Sequence, residues 1–214
     1  ETYSLVRPAC EHAAVMREDA ALTVVDGLMQ ARNAELAVSV PTDLPDFSVP
    51  SNDLDFALRK VSEPRLSIGK AYLVLKAQGD ETRIKLLGVQ RKLERPPIKT
   101  VEIPDVQDLL GAIDDVWPFT VGDPAKPWSL GARIDDHTIT ATNGIVLCQA
   151  TLGSSSGFDG VTLSRKALEY IRFRRDALRA WGATETGILL EFDDDSWAHA
   201  ARLSPDMPDQ AVTM

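Results

Sequence analysis

The chain has 214 residues, 44% of them hydrophobic and 26% charged, a composition typical of globular rather than disordered proteins. With 23 lysines and arginines against 32 aspartates and glutamates, the formal net charge of −9 would repel a polyanion unless the positive charges gather on one surface. No apolar run approaches the roughly 18 to 20 residues that span a bilayer, and the N-terminal segment lacks the apolar core of a signal peptide, so we expect a cytoplasmic protein without a membrane partner.

The first half of the chain predicts a helix, short strands, a second helix and further strands. A helical pattern covers Leu5 to Arg17, and β-like runs follow around Leu22 to Leu28 and Glu35 to Val40. After Phe47 to Pro50 we expect a helix with Ser51 or Asn52 as its N-cap, ending before Pro64. Further strands are predicted at Arg65 to Ile68, Ala71 to Leu75 and Arg83 to Leu87.

A proline-containing segment divides the chain into two predicted domains. We place the first domain at residues 1–89, a connector at 90–104 and the second domain at 105–214. The connector contains Pro96-Pro97, and proline pairs favour an extended, semi-rigid geometry. Its basic residues are Arg91, Lys92, Arg95 and Lys99, for which simple solvation is as good an interpretation as binding.

The second half repeats the order of the first. Apolar spacing predicts a helix at Val106 to Val116. Strands are predicted at Trp128 to Arg133, Ile134 to Thr142 and Ile145 to Leu152, the last two joined as a hairpin by the turn pair Asn143-Gly144. A long helix is expected from the N-cap Ser164 to Trp181-Gly182, followed by a hairpin of Gly187 to Phe192 and Ser196 to Leu203. The order of elements therefore predicts an α+β protein with an internal repeat of roughly 100 to 110 residues.

Arginines dominate the charged side of the long predicted helix. At 100° per residue, its four arginines fall within an arc of about 80° beside an apolar face; they are Arg165, Arg172, Arg175 and Arg179. Guanidinium groups bind phosphates without reading bases, so this stripe suits sequence-independent contact with DNA phosphates, but on the helix alone a solvated face is the favoured interpretation. Smaller basic patches are expected at Arg7 and at Arg59-Lys60. Against this interpretation, the helix at Val106 to Val116 carries Asp108, Asp114 and Asp115.

Catalytic patterns are weak, so we expect no enzyme activity and no cofactor. The three histidines, His12, His137 and His199, lack metal-ligand spacing. The acidic run Asp193 to Asp195 could hold a divalent ion, although an acidic turn between strands is usually solvated. A metal ion at this acidic run would favour the alternative function, a metal-dependent enzyme of nucleotide or carbohydrate metabolism. Cys10 and Cys148 are expected to be buried, reduced thiols.

Four short segments, together with the order of elements, resemble the sliding clamps of DNA polymerases, the bacterial β clamp in particular. The segments are Arg7-Pro8-Ala9, Phe47-Ser48-Val49-Pro50, Ala141 to Leu147 and Leu163 to Leu168. The resemblance implies a DNA-clamp fold with two repeated clamp domains per chain, in which helices line a ring of six domains and sheets form its outer wall. Two domains per chain then imply a homotrimer, as in two-domain phage and eukaryotic clamps.

The same resemblance implies the partners. These are duplex DNA, the DNA polymerase that the clamp tethers, and a clamp loader. It also places a groove for partner peptides beside the turn that follows Ala141, with a contribution from the C-terminal tail; the groove residues would be Thr142, Gly144, Ile145, Leu147, Met207 and Pro208. Ile145-Val146 replaces the family's usual His-Arg, so we expect a more apolar groove. A clamp-like interaction module that does not load on DNA remains a further alternative.

Overall fold

A computed structural model of the chain describes residues 2–10, 21–60, 63–77, 79–88, 92–204 and 207. The chain divides into two compact units, Glu1–Glu94 and Arg95–Met214. This division falls inside the segment 90–104 that the sequence assigns to the connector. No helix in the described part of the chain is long and apolar enough to cross a membrane.

Unit 1 contains two short helical segments and two antiparallel sheets. It begins with α1 (Thr2–Val6) and a 3-10 turn at Arg7–Ala9, and α2 (Ser51–Lys60) follows the fourth strand. The larger sheet has the order β4-β1-β2-β3, and its strands are β1 (Ala21–Val25), β2 (Leu28–Arg32), β3 (Leu36–Pro41) and β4 (Phe47–Pro50). The smaller sheet has the order β5-β6-β7, with strands β5 (Arg65–Ile68), β6 (Tyr72–Ala77) and β7 (Asp80–Lys85).

Unit 2 has the same plan with a longer first helix. Its helices are α3 (Val106–Val116) and α4 (Arg165–Phe173), and short 3-10 turns occur at Trp117–Phe119 and Pro127–Leu130. One sheet has the order β11-β10-β9-β12, formed by β9 (Gly131–Ile134), β10 (Thr138–Thr142), β11 (Leu147–Thr151) and β12 (Val161–Ser164). The other has the order β15-β14-β13-β8, formed by β8 (Val101–Glu102), β13 (Leu178–Thr184), β14 (Gly187–Phe192) and β15 (Trp197–Ala201).

The two units are therefore repeats of one topology. In each, a strand pairs with both the next strand and the strand that leads into the second helix, as β1 does with β2 and β4 and β9 does with β10 and β12. Four residues after the second helix ends, three antiparallel strands begin. Asn33 and Asn143 occupy matching turns, and the side-chain oxygen of each accepts two backbone N–H groups of the residues that follow. The internal repeat predicted from the order of elements is present.

The core of each unit lies between its sheets and helices. In unit 2 the helix α4 buries Leu168 and Ile171, and the ring of Tyr170 meets the ring of Phe192 edge-on at 5.9 Å. The helix α3 packs on β10 and β11 through Leu109, Leu110 and Ile113, each at most 2% exposed. This packing fixes both helices of unit 2 on its sheets and leaves their charged sides outward.

Two predicted helices are too long. The helix predicted over Leu5 to Arg17 already ends at Val6, because Pro8 has no N–H group to donate and its ring clashes with the preceding helical turn; residues 11–17 lie outside the described residues. The helix predicted from Ser164 ends at Phe173 instead of Trp181. Buried Arg174 begins a turn there, and Leu178 to Thr184 pair with β14 as strand β13. Gly182 is consequently a mid-strand residue and not a helix stop.

Other boundaries also differ from the prediction. The run Ile134 to Thr142 is two strands, because Asp135 to His137 form a turn between them and turns favour aspartate. The Asn143-Gly144 hairpin exists, but its loop has four residues, 143–146, with Thr142 opposite Leu147. Ser51 begins α2, yet its buried hydroxyl has no hydrogen-bond partner, so it does not cap the helix. Of the cysteines, Cys10 is buried and Cys148 only half-buried.

Candidate functional site: the arginine surface of unit 2 and the loop 143–146

Two arginines of α4 lie against the indole of Trp117. The guanidinium carbon of Arg165 is 3.9 Å from the ring centroid and that of Arg172 is 4.3 Å away. Arg165 also donates to Thr120 Oγ1 at 2.9 Å. A guanidinium over an aromatic face is held by the ring quadrupole as well as by packing. These cations are therefore positioned in advance, on the side of α4 that faces away from the sheet.

Asp114 of α3 joins this cluster to the turn after α4. Its carboxylate accepts a hydrogen bond from Arg172 Nε at 2.6 Å and from Arg175 Nη2 at 3.1 Å. The three side chains are between 33% and 44% exposed, so water screens the pairs and each contributes little to stability. Asp114 thus lowers the local positive charge without removing it, since two cations face one anion. We call Arg165, Arg172, Arg175, Asp114 and Trp117 the arginine cluster.

The acidic residues of α3 are not an uninterrupted negative surface. Asp108 Oδ2 accepts a hydrogen bond from Gly153 N at 2.8 Å, and its own N–H donates to the N-cap Asp105. Asp115 is exposed. The conflict that the sequence predicts between these carboxylates and a DNA-facing helix is therefore reduced, because Asp108 and Asp114 both have local partners.

Arg179 lies apart from the other three arginines. It is on β13 and not on α4, so the prediction that all four arginines share one 80° arc of a helix is wrong for Arg179. Its guanidinium is 3.8 Å from Glu191, a carboxylate that also accepts hydrogen bonds from Thr100 at 2.7 Å and from Arg95. Burial raises the pKa of Glu191, but the hydrogen bonds from Thr100 and Arg95 outweigh it, and the net pKa lies below the usual value. Arg95 is thereby held on the sheet of unit 2 beside Arg179.

Two of the three predicted basic residues of unit 1 pair with one buried carboxylate. Asp55 of α2 is 8% exposed and pairs with Arg7 at 2.8 Å and with Arg59 at 2.7 Å. The hydroxyl of Tyr3 donates to the same carboxylate at 3.2 Å, and burial, followed by the nearby Cys10 and Asp55, raises the pKa of Tyr3. These contacts tie α1 and the 3-10 turn to α2. Arg7 and Arg59 therefore have a structural role even though both remain well exposed.

Lys60 is the third predicted cation of unit 1. Its ammonium nitrogen lies 3.8 Å above the ring of Phe56, which is 61% exposed. A cation over an exposed ring is only weakly held. Lys60 and Phe56 consequently form a solvent-facing pair at the end of α2.

The loop 143–146 presents apolar side chains to solvent. Ile145 is 92% exposed and Val146 is 45% exposed, whereas Leu147 is half-buried at the start of β11. The loop is ordered by Asn143 Oδ1, which accepts from the N–H groups of Ile145 and Val146 at 3.0 and 2.9 Å, and by Gly144 at a φ of +89°. Ile145 is therefore not a buried residue of the strand that follows.

The remaining predicted groove residues have different surroundings. Thr142 is 6% exposed and its hydroxyl accepts from Gly144 N at 3.0 Å. Met207 is 1% exposed; its N–H donates to Thr162 Oγ1 at 3.2 Å and its carbonyl accepts from Arg133 at 3.0 Å. Pro208 lies outside the described residues. Where the structure describes the tail, it is thus fixed beside β9 and β12.

The acidic run Asp193 to Asp195 forms a turn between β14 and β15. Asp194 accepts two hydrogen bonds of 2.9 Å from Arg174, whose side chain is 4% exposed and also lies 4.2 Å from the Phe192 ring. Burial raises the pKa of Asp194, but hydrogen bonds from Ser196 and the charge of Arg174 outweigh burial, and the net pKa is lowered. Among the described residues, no group of three or more His, Cys, Asp and Glu side chains is arranged to hold a metal ion. The arrangement gives the metal-enzyme alternative no support.

The fold is that of the DNA polymerase sliding clamps. The chain is similar over 100% of its length to the DNA polymerase III subunit β sliding clamp of Bartonella birtlesii bound to griselimycin, with a TM-score of 0.79 and 15% identity. It is similar over 100% of its length to the β subunit of Thermotoga maritima, with a TM-score of 0.77 and 16% identity. A third similar structure is the Helicobacter pylori β clamp bound to a DNA ligase peptide, with 99% of this chain covered, a TM-score of 0.77 and 12% identity.

The chain covers 64% of the first two of these proteins and 66% of the third, so it spans somewhat less than two thirds of their length. No protein-family model matches the chain, and no curated protein matches it. The similarity is therefore one of fold, carried by the order and pairing of the elements rather than by residue identity.

Proposed function

We propose that the protein is a DNA sliding clamp, a polymerase processivity factor that encircles duplex DNA and tethers the replicative polymerase. The observation that carries this proposal is the repeated clamp topology of the two units, which matches solved clamps along the whole chain. A clamp needs no catalytic group, because its affinity comes from enclosing DNA. The chain would then act as a scaffold in the cytoplasm of a bacterial or phage-infected cell.

The arginine cluster supports the DNA-facing role of α4. Its cations are about one-third exposed or more, on α4 and on the turn that follows it, and we expect the paired Asp114 to weaken their contacts with phosphate. Weak phosphate contacts without base readout suit a ring that must slide. For unit 1 we propose the same orientation for Arg7, Arg59 and Lys60, and we keep Arg179 as a more distant contact on β13.

Ring closure sets the number of copies. A ring of six clamp domains built from copies of this chain alone requires three of them, in head-to-tail cyclic symmetry. We propose the domains to be residues 1–89 and 105–214, joined by the connector 90–104. Native mass spectrometry at micromolar concentration should then give a trimer. A monomer throughout this range would exclude closure by this chain alone, and a dimer would require another domain count.

We propose that partner peptides bind beside the loop 143–146. The exposed side chains of Ile145 and Val146 offer an apolar anchor, and Thr142, Gly144 and Leu147 shape the loop behind them. Pro208 would extend the groove from the tail, whereas Met207, at 1% exposed, would support it from behind without contacting the peptide. A polymerase and a clamp loader are the partners that the proposed function requires. A short segment with leucine or aromatic anchors fits such a surface, since few buried residues usually carry most of the binding energy.

The decisive experiment compares retention on circular and linear DNA. The protein is loaded, with a clamp loader, onto a nicked plasmid, and the complex is isolated by gel filtration before and after a restriction enzyme linearises the plasmid. A sliding clamp stays on the circle and leaves the linear form. A protein that binds both forms equally encloses neither, and one that binds neither while still capturing polymerase peptides is the clamp-like interaction module.

A further inference from the structure

The strand β5 of unit 1 is an uncovered sheet edge. All four of its residues are exposed, and among the described residues β5 pairs only with β6. Its Leu66 and Ile68 are 40% and 36% exposed although they lie on the side of the buried Leu73 and Leu75. An edge strand with unpaired backbone groups and exposed apolar side chains can accept an additional strand.

The internal repeat shows what fits such an edge. In unit 2 the strand that corresponds to β5 is β13, because each is the first strand after the second helix of its unit and is separated from that helix by four residues. The edge of β13 is covered by β8, an extended segment that pairs antiparallel with it at Ala180 and Trp181. The N–H of Ile103 continues the ladder by donating to the Arg179 carbonyl at 3.1 Å. Unit 2 thus carries an extended segment on this edge, whereas the described part of unit 1 has none.

The register identifies the backbone groups that face the open edge. Gly69 donates to the Tyr72 carbonyl at 2.9 Å, so Gly69 and Tyr72 form a hydrogen-bonded pair. In an antiparallel ladder such pairs alternate, which makes Ser67 with Val74 the next one. The N–H and C=O groups of Leu66 and Ile68 therefore point away from β6, toward the open edge.

The outer face of the same sheet is basic in a chain with a net charge of −9. Cross-strand pairing puts four cations and one carboxylate on this face; they are Arg65, Lys76, Arg83, Lys85 and Glu81. We call them the basic face. A depression of about 270 Å³ lies on this face, lined by its Lys76, Glu81 and Arg83 together with Ser67, Lys70 and Tyr72. A side chain of an added strand that lies next to Ser67 would enter this depression, where it would meet more cations than carboxylates and the ring of Tyr72.

We propose that β5 binds an extended segment of a partner protein as an added strand, with acidic side chains over the basic face and apolar side chains over Leu66 and Ile68. The apolar side argues against nucleic acid as the ligand, because phosphates would leave those two side chains uncovered. Main-chain hydrogen bonds would supply affinity, and the alternation of acidic and apolar residues would supply specificity. This surface lies outside the arginine cluster and the loop 143–146, and the proposal does not depend on ring closure.

The test uses a capped six-residue peptide, labelled with fluorescein, in which glutamate alternates with valine and isoleucine. Fluorescence anisotropy on the full chain should show saturable binding, and a peptide with lysine in place of glutamate should not bind. Leu66→Pro removes one edge-facing N–H, while Leu66→Ala loses a similar side chain and keeps the N–H. We expect the proline variant to bind at least ten-fold more weakly than the alanine variant, with circular dichroism confirming that both fold.

Charge is tested separately. Arg65→Glu should weaken binding at least five-fold, whereas Lys126→Glu, the same change at an exposed position of unit 2, should leave it unchanged. Equal binding by the two Leu66 variants, or equal effects of the two charge reversals, would overturn the proposal. So would binding of a single-stranded oligonucleotide without the peptide, or a concentration-dependent mass increase that Leu66→Pro abolishes, since these would assign the edge to nucleic acid or to a second copy of the chain.

Discussion

Replacing Asp114 with asparagine should strengthen DNA binding. The substitution keeps the shape of the side chain but removes the carboxylate that Arg172 and Arg175 now share, at 2.6 and 3.1 Å. Both guanidinium groups then become available to phosphates. Because the pairs are at least one-third exposed, the free energy of unfolding should change by about 1 kcal/mol or less. The effect on DNA should therefore be separable from any effect on folding.

The expected size of this effect follows from charge counting. One carboxylate about 4 Å from a cation is worth about 1 kcal/mol in water, which corresponds to a roughly five-fold tighter complex per arginine cluster. Each additional phosphate contact steepens the dependence of log affinity on log salt by about 0.9, so two released guanidinium groups should steepen it by up to about 1.8. Anisotropy of a labelled 30-base-pair duplex between about 50 and 200 mM NaCl measures both quantities.

Asp159→Asn is the matched control, because Asp159 is exposed in the loop before β12 and its replacement changes the net charge by the same amount. If Asp114→Asn and Asp159→Asn behave alike in affinity and in salt dependence, the gain comes from overall charge alone. The arginine cluster would then not face DNA. Weaker binding by Asp114→Asn than by wild type would show that the ion pairs hold the arginines in their binding positions.

Three further predictions concern other contacts of unit 2. Changing Arg172 and Arg175 together to glutamate should shorten retention on nicked circular DNA and flatten its salt dependence while leaving the thermal unfolding midpoint within a few degrees; unchanged retention would remove this surface from DNA contact. Arg174→Met should cost about 2 kcal/mol in urea unfolding at pH 7. Because the pKa of Asp194 is lowered in the folded state, its contribution is present above about pH 4 and is lost on acidification, so this variant should lose less stability than wild type below pH 4; parallel pH curves would contradict it. Ile145→Ser should weaken binding of a peptide from the cognate polymerase at least ten-fold, with Val121→Ser, at another exposed apolar residue, as the control; equal loss in both would place the groove elsewhere.

The helices and strands predicted correctly are those whose secondary structure is determined by their own residues. The helix Val106–Val116 has the predicted bounds, because its apolar stripe is continuous and Asp105 caps it at 2.9 Å. The strand Gly187–Phe192 also has the predicted bounds, and Ser164 caps α4 as expected. In these segments periodicity, capping and turn residues favour the same structure, so little depends on distant parts of the chain.

The prediction is wrong where the secondary structure of a segment depends on pairing with residues far away in the sequence. Leu178 to Thr184 contain good helix formers that continue the stripe of α4, and only pairing with β14 and β8 makes them a strand. Buried Arg174 fixes the chain reversal through Asp194, 20 residues away. The error at Pro8 is different, because the local signal was present: a proline inside a helical pattern should end the helix near the preceding residue.

The arginine surface shows both what sequence reasoning finds and what it misses. The composition of α4 reveals the cations, but not that Asp114, 58 residues before Arg172, lies between two of them or that Trp117 supports two. These partners change how strongly the guanidinium groups would bind phosphate. An unpaired arginine stripe would bind phosphates more tightly, whereas a guanidinium that must exchange a carboxylate for each phosphate binds more weakly and with a shallower salt dependence. For a ring that holds DNA by enclosure, weak exchangeable contacts permit sliding, so the acidic residues that argue against DNA binding in the sequence become compatible with it in the fold.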